Sequence, residues 1–242
     1  MKKIIFGIIF ILLISGCSQT TERNLPDVEW TDIGEEIVNE NMNGKIIEKQ
    51  GEILSGEQVG EKFTMYDISY EKGGKEYRNY FLEELRPALD WINDNIEEDA
   101  KFLNWWDYGH MIRGYTGREV VVYSPSEDML WSLSSGKWDT NLSGEFSTNE
   151  KMKDVALAFL ASDFDRTKEI MVKYDTNYFF ATKLEDYIID YWAERLKEYY
   201  STINDIGETR ENIFITKMLN EEEIEGFSLV YNDDYVKIYK KN

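Results

Sequence analysis

Lys101-Phe102-Leu103-Asn104-Trp105-Trp106-Asp107-Tyr108-Gly109 is the stretch that decides the architecture. Residues 101–104 read as a short strand, and the five that follow as a recognition surface held at its end. Indole N–H groups donate hydrogen bonds and a carboxylate accepts them. Aromatic walls exclude water and strengthen such bonds. Gly109 is expected to give the backbone a turn that a side chain would block. Binding groups at a strand's end are exposed yet rigidly carried.

Outward from this stretch the chain alternates strand and helix patterns. Pro87 suits the first turn of a helix whose Leu89, Ile92 and Ile96 share a face. After the pentapeptide, residues 110–115 read as a short helix and 119–123 as a strand. Residues 124–147 read as a long polar loop containing Trp131 and Trp138. Thr148 or Asn149 then caps a helix with the apolar stripe Met152, Val155, Ala156, Phe159 and Leu160. Asp163 opens another, with Ile170, Met171 and Tyr174 inward. Residues 178–182 read as a strand, 185–200 as a long helix and 212–219 as a shorter one. Residues 227–231 and 235–239 form a hairpin around Asn232-Asp233-Asp234.

The part before Leu85 has a different character. Ile46-Ile47, residues 63–70 and residues 76–80 look like strands, and Gly73-Gly74 is a hairpin turn signal. The fold class expected is therefore mixed α/β. A single globular domain over 85–242 has several helices around a small mixed sheet, and 28–84 form a small N-terminal β-rich appendage. Residues 1–16 read as a signal peptide and 17–27 as a lipidated tether.

The pentapeptide resembles the signature motif of the oligosaccharyltransferase catalytic-subunit family, archaeal type. Four further blocks follow in the family's order. They are His110-Met111-Ile112 with Gly117-Arg118, the helix over 154–162, Lys173-Tyr174-Asp175-Thr176-Asn177-Tyr178, and the closing hairpin with Gly226-Phe227 and Val236-Lys237-Ile238-Tyr239. The resemblance covers roughly 85–240. It implies an acceptor-recognition domain outside the membrane, in which Trp105, Trp106 and Asp107 receive the hydroxyl of an Asn-x-Ser/Thr sequon. Tyr108 and Gly109 then shape the motif. In the family, the metal-binding and lipid-linked sugar sites belong to a many-pass membrane domain, which this sequence does not contain. A second family motif, D-x-x-K, corresponds to about residues 182–189. Here Asp186 is followed three places on by Ile189, a departure from that motif.

Charge narrows the alternatives. With 47 acidic against 27 basic residues the net charge is −20, so no nucleic acid is expected as a partner. One Cys and one His exclude an internal disulfide and the usual structural zinc site. Acidic runs such as Glu221-Glu222-Glu223 read as solvated faces, so no metal site, cofactor or catalytic residue is assigned. His110 is the only histidine, without an evident nucleophile beside it in sequence. Arg118 is expected to be structural or to pair with a carboxylate such as Asp107. Asn141-Leu142-Ser143 is the chain's one Asn-x-Ser/Thr sequence, which makes Asn141 a possible glycosylation site.

The expectation is an extracytoplasmic, lipid-anchored sequon-recognition protein, a non-catalytic accessory in N-glycosylation whose partners are acceptor polypeptides, the membrane and a membrane glycosyltransferase subunit. Two alternatives stay open: the soluble half of a split transferase, and a structural or adhesive surface protein that lost the site. The apolar run Ile4 to Ile14 after Lys2-Lys3 is shorter than the about 20 residues a span needs and ends Ile14-Ser15-Gly16-Cys17, like a bacterial lipobox. An uncleaved anchor with an incidental Cys17 is the competing reading; both place the domain outside the cytoplasm. Under the lipobox reading, Cys17→Ala abolishes incorporation of a labelled lipid precursor and changes processing. Equal label in mutant and parent excludes it.

Overall fold

The computed structural model describes residues 27–55, 58–134, 142–183 and 210–242. The leader, Cys17, Trp138, Asn141, the helix expected over 185–200 and most of the second-motif stretch lie outside the described residues. The rest is a mixed α/β structure with two sheets and several helices.

The first sheet is an antiparallel meander of β1 (Val28–Asn39), β2 (Gly44–Ile53), β3 (Lys62–Lys72) and β4 (Lys75–Leu82). In β3, Tyr66, Ile68 and Tyr70 are buried while Asp67 and Ser69 are more open, the period-two alternation of a half-buried strand. Cross-strand pairs follow from that register: Ile46 faces Ile68, and Tyr66 stacks on Phe81 at 5.1 Å. The turn between β3 and β4 has positive φ at both Gly73 (60°) and Gly74 (77°), which a two-residue type I′ hairpin requires.

β1 was not expected. Its sequence, VEWTDIGEEIVN, shows no clean alternation because most of the strand is exposed. It forms the sheet edge beyond β2, and its Glu29, Asp32, Glu35 and Glu36 put charge along that edge, which opposes edge-to-edge association.

The second sheet has the order β6-β5-β7-β9-β8. β5 (Lys101–Leu103) lies parallel between β6 (Glu119–Val120) and β7 (Tyr178–Thr182). The hairpin of β8 (Phe227–Asn232) and β9 (Val236–Lys241) adds antiparallel to β7. Every residue of β7 is buried, as a central strand covered on both faces must be. α1 (Arg86–Asn95) precedes β5 with Pro87 in its first turn. Arg118 satisfies the other end of α1, donating to Ile96 O (2.5 Å) and Asn93 Oδ1 (3.1 Å). It therefore has the structural role and does not meet Asp107.

α2 (Trp106–Met111) follows β5 and runs into a π-helical turn, Ile112–Thr116. The helix expected to begin at His110 thus begins four residues earlier, and the pentapeptide is helical. The strand expected over 119–123 is in the ladder only at Glu119–Val120. The polar loop expected over 124–147 contains a helix, α3 (Glu127–Ser134). α4 (Asn149–Leu160) carries its cap at Thr148, whose Oγ1 accepts from Lys151 N at 3.2 Å. α5 (Phe164–Lys173) is capped by Asp163 and α6 (Phe214–Leu219) covers β7.

The two sheets share one contiguous core, and the π turn joins them. All five of its residues are buried. Tyr115 meets Phe81 edge-on and donates to Asp90 Oδ1 at 2.5 Å. A Cβ on Gly114 would lie 2.5 Å from Cδ1 of the Tyr70 ring and 3.0 Å from Ile68. Gly114→Ala should therefore destabilise the protein by about 1–3 kcal/mol through overpacking. Urea denaturation checks this, and an unchanged midpoint would mean that the sheets do not press on the π turn.

Candidate functional site

The pentapeptide begins where β5 ends, beside the end of its parallel neighbour β7. Ligand sites in open α/β sheets favour this edge, beyond the carboxyl ends of parallel strands. Fully buried Asn104 ties the exit of β5 down, donating from Nδ2 to Trp105 O (2.7 Å) and Val122 O (3.3 Å). Its Oδ1 is buried with no partner among the described residues.

The five residues separate by environment. Trp105 is 3% exposed and meets Phe159 edge-on at 6.3 Å. Tyr108 is buried, tilts against Phe180 and shares a 2.7 Å hydrogen bond with Thr182 Oγ1, fixing α2 to the last residue of β7. Gly109 does not make the turn expected of it, since it is helical and without positive φ. A Cβ there would lie 2.3 Å from Val122 O and 2.6 Å from Tyr123 Cβ, so the glycine lets the helix backbone approach the 121–123 segment. Trp106 and Asp107 are the two motif residues that keep an accessible surface.

Asp107 is electrostatically unusual. Its carboxylate has no hydrogen-bond or ion-pair partner among the described residues, and burial alone raises its pKa to about 7. Part of its surface remains open, so the group is poorly solvated yet reachable. It lies in the first turn of α2, where the helix field favours negative charge, but desolvation prevails. Among the described residues no three His, Cys, Asp or Glu side chains gather to hold a metal ion.

One turn further on, His110 has partners that sequence spacing did not reveal. Its Nδ1 shares a hydrogen bond with Tyr70 OH (2.8 Å) and its Nε2 one with Ser124 Oγ (2.6 Å). These residues lie 40 and 14 positions away, and no local pattern signals them. Tyr77 stacks on the imidazole and Tyr123 meets it edge-on. Burial holds the His110 pKa down to about 4, so the ring is neutral at physiological pH. Arg113 lies over the Tyr123 ring at 4.5 Å and pairs with Glu119 at 3.1 Å.

The raised pKa makes Asp107 a stability liability above neutrality. The folded state holds this proton to about pH 7, whereas an unfolded Asp releases it near pH 4. The unfolded chain thus binds fewer protons between those values, and stability falls as pH rises through them. Asp107→Asn should stabilise the protein at pH 8 by on the order of 1–3 kcal/mol, an advantage lost by about pH 4. Parallel denaturation curves at the two pH values check this, and a pH-independent difference would refute it.

No family model matches the chain. It is 37% identical over 41 residues to the dolichyl-diphosphooligosaccharide–protein glycosyltransferase subunit stt-3 of Caenorhabditis elegans, a match covering 17% of this chain and 5% of that protein. Over 120 residues it is 29% identical to subunit STT3B of Oryza sativa subsp. japonica, covering 50% of this chain and 14% of that protein. The C-terminal globular domain of oligosaccharyltransferase from Archaeoglobus fulgidus superposes with a TM-score of 0.46 at 20% identity, covering 67% of this chain and 99% of that one. The matches to these two curated relatives thus cover 5% and 14% of their lengths. Over segments reaching half its length, the chain is similar in sequence to subunits of oligosaccharyltransferase.

Proposed function

We propose that this chain recognises acceptor polypeptides carrying Asn-x-Ser/Thr, in a role related to protein N-glycosylation, through the Trp106–Asp107 face of α2. Similarity to oligosaccharyltransferase subunits supports the process. One observation carries the site: Asp107 is a reachable carboxylate that lacks a donor among the described residues, on a helix whose buried neighbours are fixed. A poorly solvated acceptor without a donor is costly, and an incoming Ser or Thr hydroxyl supplies the donor. Trp106 provides the apolar wall that keeps water from competing. An acceptor lacking the hydroxyl leaves the carboxylate unpaired, so selection rests on that one bond.

In this reading the protein is a non-catalytic accessory, held by a lipid on Cys17 at the outer face of the cell membrane. There it works beside a membrane glycosyltransferase subunit that supplies the sugar donor. The tether of residues 17–27 would hold the domain within about 40 Å of the anchor if fully extended.

The test is titration with two peptides that differ only in Asn-x-Thr against Asn-x-Ala. The threonine peptide should bind more tightly by about 1 kcal/mol, roughly fivefold in Kd. The preference should grow as pH rises from 6 to 8, because the unliganded carboxylate ionises near pH 7 and its anion accepts hydrogen bonds more strongly. Trp106→Ala and Asp107→Ala should abolish the preference without unfolding the protein. Identical titrations for both peptides with the parent protein would refute sequon recognition.

A further inference from the structure

The N-terminal sheet needs a role, and His110 connects it to the candidate site. Tyr70, near the end of β3, is 1% exposed, and its hydroxyl reaches His110 Nδ1. The opposite ring nitrogen is held by Ser124. Ser124 has φ 48°, a left-handed conformation that costs a residue with a side chain and persists only where the surroundings impose it. Those surroundings are present. A Cβ on Gly144 would lie 2.1 Å from Ser124 O, so only glycine lets that loop close over the segment. Tyr123 stacks on Phe146 at 4.3 Å, and Tyr123 N donates to Ser147 Oγ at 2.9 Å.

His110 follows Asp107 by three positions in α2, so the two neighbour each other on the helix surface. One hydrogen bond to His110 would leave α2 free to roll about its axis. Two bonds, to opposite ring nitrogens and from separate parts of the fold, remove that freedom, because hydrogen bonds weaken steeply off line. A neutral imidazole has one donor and one acceptor nitrogen, and both hydroxyls can take either role.

We propose that His110 is a positioning residue for acceptor recognition: the N-terminal sheet, through Tyr70, and the strained Ser124 segment grip it from both sides and set the roll of the helix that presents Trp106 and Asp107. The proposal rests on the reading of those two residues as the acceptor face. The 2.6 Å contact also has the spacing of a serine nucleophile and its base. However, the other ring nitrogen meets a phenol, not a carboxylate. Among the described residues Glu145 acts on the imidazole only through its field and does not hydrogen-bond to it, so the base lacks the orienting carboxylate of a nucleophile triad.

The experiment uses the full chain with Tyr70→Phe, Ser124→Ala, His110→Phe and His110→Gln. Each is titrated with the Asn-x-Thr and Asn-x-Ala peptides, and amide exchange is followed by mass spectrometry. Tyr70→Phe keeps the ring and deletes one hydroxyl. It should nonetheless erase most of the roughly fivefold threonine preference, with the alanine peptide's Kd unchanged. Peptides spanning residues 106–111 should exchange faster in Tyr70→Phe and Ser124→Ala, while those from β7 should not change. His110→Gln, which keeps a donor and an acceptor, should recover part of the preference that His110→Phe loses. Parent-like preference and exchange in both Tyr70→Phe and Ser124→Ala would overturn the proposal. If the parent shows no threonine preference, sequon recognition fails, and the exchange data still decide whether His110 fixes the helix.

Discussion

Close backbone packing of one segment, Trp106–Thr116, governs the rest of the structure. Gly109 brings it against Val122 O on one side, and Gly114 brings it against the Tyr70 ring on the other. The first contact is with the segment that follows β6 of the mixed sheet and the second with the N-terminal meander. Gly44 closes the same joint, since a Cβ there would lie 2.4 Å from Gly114 O. Because packed interiors relax little, such contacts transmit position rather than absorb it. A six-residue helix has little stability of its own. Its geometry is borrowed from the two sheets, which also explains why it continues into a wider π turn where it enters the joint.

That borrowed rigidity allows an unfavourable group to persist. Tyr108 is bonded to Thr182, Trp105 is buried against Phe159, and Gly109 is pressed on Val122 O. None of these contacts involves the Asp107 carboxylate, which is carried along without a described partner. A surface carboxylate would turn to water, and one buried for stability would be paired. Asp107 does neither, which is the arrangement that the proposed acceptor recognition requires.

How much of this was legible in the sequence depended on how far each signal reached. Residues 63–70 read as the strand that became β3, and Thr148 or Asn149, and Asp163, marked helix starts, because those signals are local. β1 was illegible because an exposed edge strand need not alternate, and its acidic residues serve the edge. α3 was masked by the polar residues around it. The motif was visible as a composition but not as a conformation. Gly109 reads equally as a turn former or a close-contact residue, and only Val122, thirteen positions on, decides between them. The partners of His110 were invisible for the same reason.

The division of the pentapeptide into buried and reachable members bears on how such a site can be selective. Trp105, Tyr108 and Gly109 are held by contacts within the fold, so changing them alters structure before binding. Trp106 and Asp107 have an open surface, so under the proposed function changing them alters binding first. A single hydroxyl is a small feature by which to choose a polypeptide, worth on the order of 1 kcal/mol unless the receiving group is fixed and poorly hydrated. The buried three supply the fixation, and desolvation of Asp107 supplies the dryness. Under the proposed function, the contrast between a threonine and an alanine segment comes mainly from the cost of leaving that carboxylate unpaired, a cost the fold carries before any ligand arrives.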